Sequence, residues 1–240
     1  IGRYLTGTYN GGISKAITRE EAEIIFDAGL NFFPIYQTSA NGNSYFTPER
    51  GTKDAKAAIE AAGALGVPAN TIIYFAVDYD CLDSQITSHV IPYFKSVHDV
   101  MAGSIYRTGI YGTRNACTRV SKLGYACSSF VGDMSTGFSG NLGFSMPDNW
   151  AFDQFKTTSI GSGNGYLEID KDGFSGRDYG VSQLTAPKNL ITFPAVQISA
   201  SFSDDLKGPI VDILGKPTPL FTTPVGLNIG INHMVDYEYD

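Results

Sequence analysis

Along residues 71–81, TIIYFAVDYDC, apolar side chains alternate faces with a period of two. Ile72, Tyr74, Ala76, Asp78 and Asp80 share one face, and Ile73, Phe75, Val77 and Tyr79 share the other. The second set suits packing under helices, as on the outer surface of a parallel barrel strand. The first carries two carboxylates to the strand's carboxyl end, where α/β folds place their chemistry. The plainer reading is that Asp78 and Asp80 open a polar loop or cap the helix after Asp83.

The flanking pattern predicts repeated strand–helix units. Residues 2–9 read as a strand, and Thr18 with Glu21 forms a capping box for a helix that Gly29 ends, with Ile17 and Ala22 as its staple. Residues 30–37, LNFFPIYQ, are a second strand in which Pro34 implies weak pairing. An Ala-rich helix runs from about Lys53 to Leu65, closed by Gly66 and Pro68. After the acid-tipped strand, residues 84–101 are helical, with a kink or break at Pro92. Residues 106–112 and 129–135 are further strands, separated by a short helix over 115–123. In the last of these strands Val131 and Asp133 share a face.

Beyond residue 135 the helices stop, and short strands are predicted over 150–155 and 166–170. The second runs into Asp172, so Asp170 and Asp172 are read either as a strand-end acid pair or as an Asp-rich turn. The fold expected is α/β: an irregular (β/α) TIM-like barrel of five β/α units followed by strands without helices. It occupies residues 1–183, and residues 184–240, broken by prolines, read as a small β-rich appendage or arm.

Composition narrows the function. The chain has 240 residues, 17% of them charged, and a formal charge of −7, which argues against nucleic acid because no basic stripe exists to neutralise phosphates. No apolar run reaches the ~20 residues of a membrane span. A first residue of Ile rather than Met implies a processed or excised piece, with any signal peptide outside it. Cys117 and Cys127 can pair, leaving Cys81 over, or all three are plain thiols; no Cys–His spacing suits zinc. The histidines sit on one helical segment and in the tail, which gives Ser/His/Asp hydrolysis little support.

Several pieces together resemble the glycoside-hydrolase-like domain of secreted bacterial proteins related to family 25 lysozymes. They are GRYLTG at the start, DAKAAIEAAGALGVPANTIIYFAVDYD, GIYGT, FVGDMS, DQF and the closing EIDKDGFSG, spanning roughly residues 1–180. The resemblance implies that Asp78 and Asp80 are catalytic, with Asp80 standing where the family has a glutamic acid. It implies further that Asp170 lines the same pocket and that Asp133 is its neighbour. Two departures are a Tyr4 where the lysozymes carry a first-strand acid, and a side chain one methylene shorter at position 80.

Glycosidic cleavage needs one carboxylic acid to protonate the leaving oxygen and one carboxylate to stabilise or attack the cationic carbon. Residues two apart on a strand have Cα atoms roughly 6.6 Å apart, which does not choose between retention and inversion. Asp80 is assigned as the acid, and Asp78 as the charge that stabilises the transition state or orients an N-acetyl group. Tyr36, Tyr111, Trp150 and Gln154 are expected along the groove, or, for the aromatics, in the core. The function expected is hydrolysis of a cell-wall, peptidoglycan-like or related polysaccharide, by a secreted or cell-surface protein without a cofactor. The alternative is a weak or inactive barrel that binds glycan or a cell-wall partner. A third reading has Asp78, Asp80, Asp133 and Asp170 converge on Ca²⁺ or Mg²⁺.

Overall fold

The computed structural model describes residues 1–9 and 12–186. The reading of residues 184–240 as a β-rich appendage therefore lies outside the described residues from position 187 onward.

Strand β1 (Gly2–Tyr4) leads into a small hairpin, β2 (Thr8–Tyr9) and β3 (Ile13–Ser14). The single first strand expected over 2–9 is thus interrupted at Gly7, whose φ of +100° is a turn conformation. Helix α1 (Arg19–Asp27) begins on Thr18, whose hydroxyl accepts from the Glu21 N–H at 3.2 Å. The Glu21 carboxylate is drawn instead to the Arg3 guanidinium, at 2.5 and 3.0 Å, tying the helix to the edge strand. In β4 (Phe33–Tyr36), pairing with β5 starts only at Ile35, so the missing N–H of Pro34 falls before that ladder begins.

Helix α2 (Pro48–Leu65) starts at Pro48 rather than near Lys53, because Thr47 caps it and Pro48 occupies its first turn. Strand β5 (Ile72–Ala76) comes after it. Then come α3 (Asp83–Gln85), a π-turn over Ile86–Val90 and α4 (Ile91–Met101). The break expected at Pro92 is met, since the π-turn takes up the register its missing N–H would disturb. Next are β6 (Arg107–Gly112), α5 (Arg114–Lys122) on a Thr113 cap, and β7 (Ser128–Val131). The last two strands, β8 (Trp150–Ile160) and β9 (Leu167–Phe174), are longer than expected because they pair with each other as one hairpin.

The main sheet has seven strands in the order β1-β4-β5-β6-β7-β8-β9. Pairing is parallel from β1 to β8 and antiparallel between β8 and β9. This α/β sheet curls into a half-barrel whose end strands, β1 and β9, are not hydrogen-bonded to each other. The irregular (β/α) barrel expected from the sequence is thus met as a curled, mostly parallel half-barrel, and the described residues do not close it into a full barrel. As expected, no α-helix follows residue 135 among the described residues, and the sheet ends in the β8–β9 hairpin.

The curl has two apolar sides. Outside, Ile73, Phe75 and Val77 of the acid-tipped strand pack with helix residues such as Ala58, Phe94 and Val120, as the alternation predicts. Inside, Phe33, Ile35, Ile72, Tyr74, Phe130, Ala151 and Phe152 form a separate cluster. Phe33 stacks on Phe152 with centroids 3.8 Å apart and meets Tyr74 and Phe130 edge-on at 5.7 and 5.3 Å. The Tyr74 hydroxyl lies 2.9 Å from Ser128 Oγ and donates to Asp178 Oδ2 at 2.7 Å, so the floor of the curl is both packed and hydrogen-bonded.

On the helix side, Asp54 is 1% exposed and accepts from the hydroxyls of Tyr36, Tyr45 and Tyr93 at 3.4, 2.5 and 2.9 Å. The Arg50 Nε lies 2.8 Å from the same carboxylate. One buried charge therefore joins β4, α2 and α4.

These contacts set the cost of two substitutions. A Cβ at Gly109 would lie 2.6 Å from the Tyr74 ring, so Gly109→Ala should destabilise by about 1–3 kcal/mol in urea unfolding. Asp54→Ala leaves three hydroxyls without their shared acceptor and the Arg50 guanidinium without its counter-charge, and should cost about 3–5 kcal/mol in the same measurement.

Candidate active site

A cavity of about 230 Å³ opens where the parallel strands end. Tyr4 closes β1, Gln37 comes just after β4, Asp78 just after β5, and Tyr111 lies near the end of β6. Met134 and Ser135 come from the turn after β7, Gln154 from β8, and Asp170 from β9. Ile35 and Phe130, both members of the inner cluster, form its floor.

Each of its two carboxylates is held by a neutral side-chain amide. Gln37 Nε2 donates to Asp78 Oδ2 at 2.9 Å, and the Asp78 backbone N–H donates to the Ala40 carbonyl at 2.9 Å. Gln154 Nε2 donates to Asp170 Oδ2 at 3.0 Å, and the Thr157 hydroxyl donates to Asp170 Oδ1 at 2.7 Å. The Tyr111 hydroxyl donates to Gln154 Oε1 at 2.8 Å, which turns the amide's NH₂ toward Asp170. Burial, with the charges of Asp78 and Asp170 adding to it, pushes the Tyr111 hydroxyl well above its usual pKa, so it stays a donor. Tyr4 is raised for the same reasons, burial first. The Lys15 ammonium lies 3.8 Å from the centroid of the Tyr4 ring.

The sequence-predicted residues divide. Asp78, Tyr111, Gln154 and Asp170 meet in the cavity. Asp80 does not join them: its Oδ1 accepts from both the N–H and the hydroxyl of Ser139, each at 2.7 Å. Asp133, expected to share a strand face with Val131, lies instead in the turn after β7, where the Arg114 guanidinium of α5 binds it. Asp153 lies beside that pair, its carboxyl raised by burial and then by the Asp133 charge. Tyr36 points outward to Asp54, and Trp150 sits at the opposite, entering end of β8, packed on the helix-side core. Asp170 and Asp172 lie within β9 rather than in a turn.

Of the four acids of the metal reading only Asp78 and Asp170 share the cavity, and among the described residues no group of three or more His, Cys, Asp or Glu side chains is placed to hold a metal ion. Cys81, Cys117 and Cys127 are free, Cys117 buried and Cys127 exposed, so the pair considered from sequence is not formed. Among the described residues no helix is long and apolar enough to cross a membrane.

Gln37, Met134, Ser135 and Thr157 were not singled out by sequence. Gln37 had a signal: it is two residues from Ile35 and so shares the inner phase, whereas Tyr36 does not.

Residues 1–174 match the Rv2525c-like, glycoside hydrolase-like domain family, and the chain belongs to it. It is 50% identical over 187 residues to the uncharacterized protein FadG of Bacillus subtilis (strain 168), covering 77% of this chain and 32% of FadG. It is also 50% identical over 201 residues to the uncharacterized protein YbfG of the same organism, covering 80% of this chain and 28% of YbfG. The chain thus spans about a third of the length of these curated relatives. Crystal structures of the Mycobacterium tuberculosis Tat-secreted protein Rv2525c share the fold. The HEPES and L-tartrate complexes superpose with TM-scores of 0.62 and 0.63 at 19% identity, covering 76% of this chain and 87% of that one.

Below the cavity, Asp172 lines the open seam with Phe152 and Phe174. Burial, then the charge of Asp170, raises its carboxyl to about 6. A carboxylate raised in the folded state opposes folding once pH climbs from its unfolded value toward that figure. Asp172→Asn should therefore raise the melting temperature near neutral pH and leave it unchanged in acid, where both side chains are uncharged. Because Asp172 keeps much of its surface in water, the gain should stay below ~1 kcal/mol, read from melts across a pH series.

Proposed function

We propose that the cavity is a carbohydrate site at which Asp78 and Asp170 work across a glycosidic bond of a cell-wall or related polysaccharide. The observation that carries this reading is that carboxylates from β5 and β9 reach one cavity beside Tyr4 and Tyr111. Asp78 accepts a side-chain hydrogen bond on Oδ2 from Gln37, and its Oδ1 has no hydrogen-bond partner among the described residues. That oxygen is the one able to meet substrate. Both oxygens of Asp170 accept from neighbours, which fits a fixed negative charge facing a developing oxocarbenium ion. Tyr4 and Tyr111 offer ring surface for a sugar face. Family membership supports a glycosidase-like site, and the Tat-secreted structural neighbour supports extending export to this chain.

A second reading, glycan binding without cleavage, is favoured by one observation. Asp80, at the position of the family's glutamic acid, is held by Ser139. The two readings separate in an assay for new reducing ends on purified peptidoglycan and soluble glycans. The expected result is release that falls by roughly 10²-fold or more in Asp78→Asn and persists in Asp80→Asn. Binding without release would favour the second reading, and loss of release only in Asp80→Asn would return the acid's role to that residue.

A further inference from the structure

We infer that this site selects sugars carrying a free amine over their N-acetylated or acidic counterparts, an inference that rests on its being a carbohydrate site. The ground is the charge of the lining. Two carboxylates face the cavity, and among the described residues no Lys, Arg or His lines it. The side chains that hold Asp78 and Asp170 are amides and a hydroxyl, so none of these partners cancels their charge. Three of the arginines elsewhere are paired off: Arg114 binds Asp133, Arg3 binds Glu21, and Arg50 binds Asp54. Lys15 sits over the Tyr4 ring and is not among the lining residues.

A bound acidic sugar would place a third anion in this space. An N-acetylated sugar offers Asp78 Oδ1 one neutral N–H. A primary ammonium offers three donors and a compensating charge, and charge-assisted hydrogen bonds are about twice as strong as neutral ones. Tyr111 adds an aromatic ring that attracts a cation electrostatically, whereas the Tyr4 ring already carries the Lys15 ammonium. The cavity, about 230 Å³, suits one sugar ring in the charged position, with the rest of the polymer outside it. Tyr111 contributes at one remove, because its hydroxyl keeps the Gln154 amide from presenting its oxygen to Asp170.

The test is calorimetric titration of the protein with chitosan and chitin oligosaccharides of equal length, in mildly acidic buffer at low and moderate salt. The expected result is binding of the glucosamine oligomer at least about tenfold tighter than the N-acetylated one. That preference should vanish in Asp78→Asn, with its fold checked by thermal melting, and survive in Glu60→Gln, an exposed helix acid away from the cavity. Equal affinity, or tighter binding of the N-acetylated oligomer through Asp78, overturns the amine preference and leaves the carbohydrate site standing. A preference that survives Asp78→Asn but disappears with salt assigns it to the overall negative charge and overturns the inference. Binding of neither oligomer removes both the inference and the reading beneath it.

Discussion

The contact between Phe33 of β4 and Phe152 of β8 is the constraint on which the molecule's shape depends. These strands are separated by three others in the sheet, yet their rings stack at 3.8 Å. That distance is attainable only if the sheet rolls over on itself. Tyr74 and Phe130 fill the angle between them edge-on, and Gly109 leaves out the side chain that would displace Tyr74. Aromatic packing thus does for this open sheet what hydrogen bonding between first and last strands does for a closed barrel. The cavity rests directly on this cluster through Ile35 and Phe130.

Above that floor the site is built from neutral donors holding charged acceptors. Gln37 and Gln154 act as matched clamps on carboxylates from strands far apart in the chain. The contrast with the helix side is sharp. There Asp54 and Asp133 are neutralised by Arg50 and Arg114, which suits buried charges that knit elements together. At the mouth, uncompensated carboxylates are left where an incoming molecule can reach them.

Much of this was legible in the sequence, and the failures have local causes. The phase of β5 is as the alternation predicts, because Ile73, Phe75 and Val77 contrast with Tyr74 in what they must face. Thr18 announces its helix, and the repeated strand–helix order is as read. Extending β5's alternation to Asp80 failed because the strand ends at Ala76. A turn beyond it, marked by the Cys81 N–H to Tyr79 carbonyl bond, redirects the chain. Asp133 failed for the same reason, since β7 ends at Val131 and the turn after it carries Asp133 to Arg114. In β4 both faces are apolar and aromatic, so the polar Gln37 in the phase of Ile35 was the one mark of which side faces the cavity. The hairpin of β8 and β9 depends on pairing between segments too polar to read as strands over their full length.

Because Asp78 and Asp170 stand on different staves, their separation is not dictated by the rise along one of them. It is dictated by curvature. A tighter roll brings the two acids together and a looser one parts them, and in glycosidic cleavage that gap decides whether the anomeric centre keeps or inverts its configuration. If the site cleaves glycosides as proposed, stereochemistry in this unlatched barrel becomes a property of the aromatic interior, where a methyl group gained or lost beneath the pocket would act on a reaction it never touches.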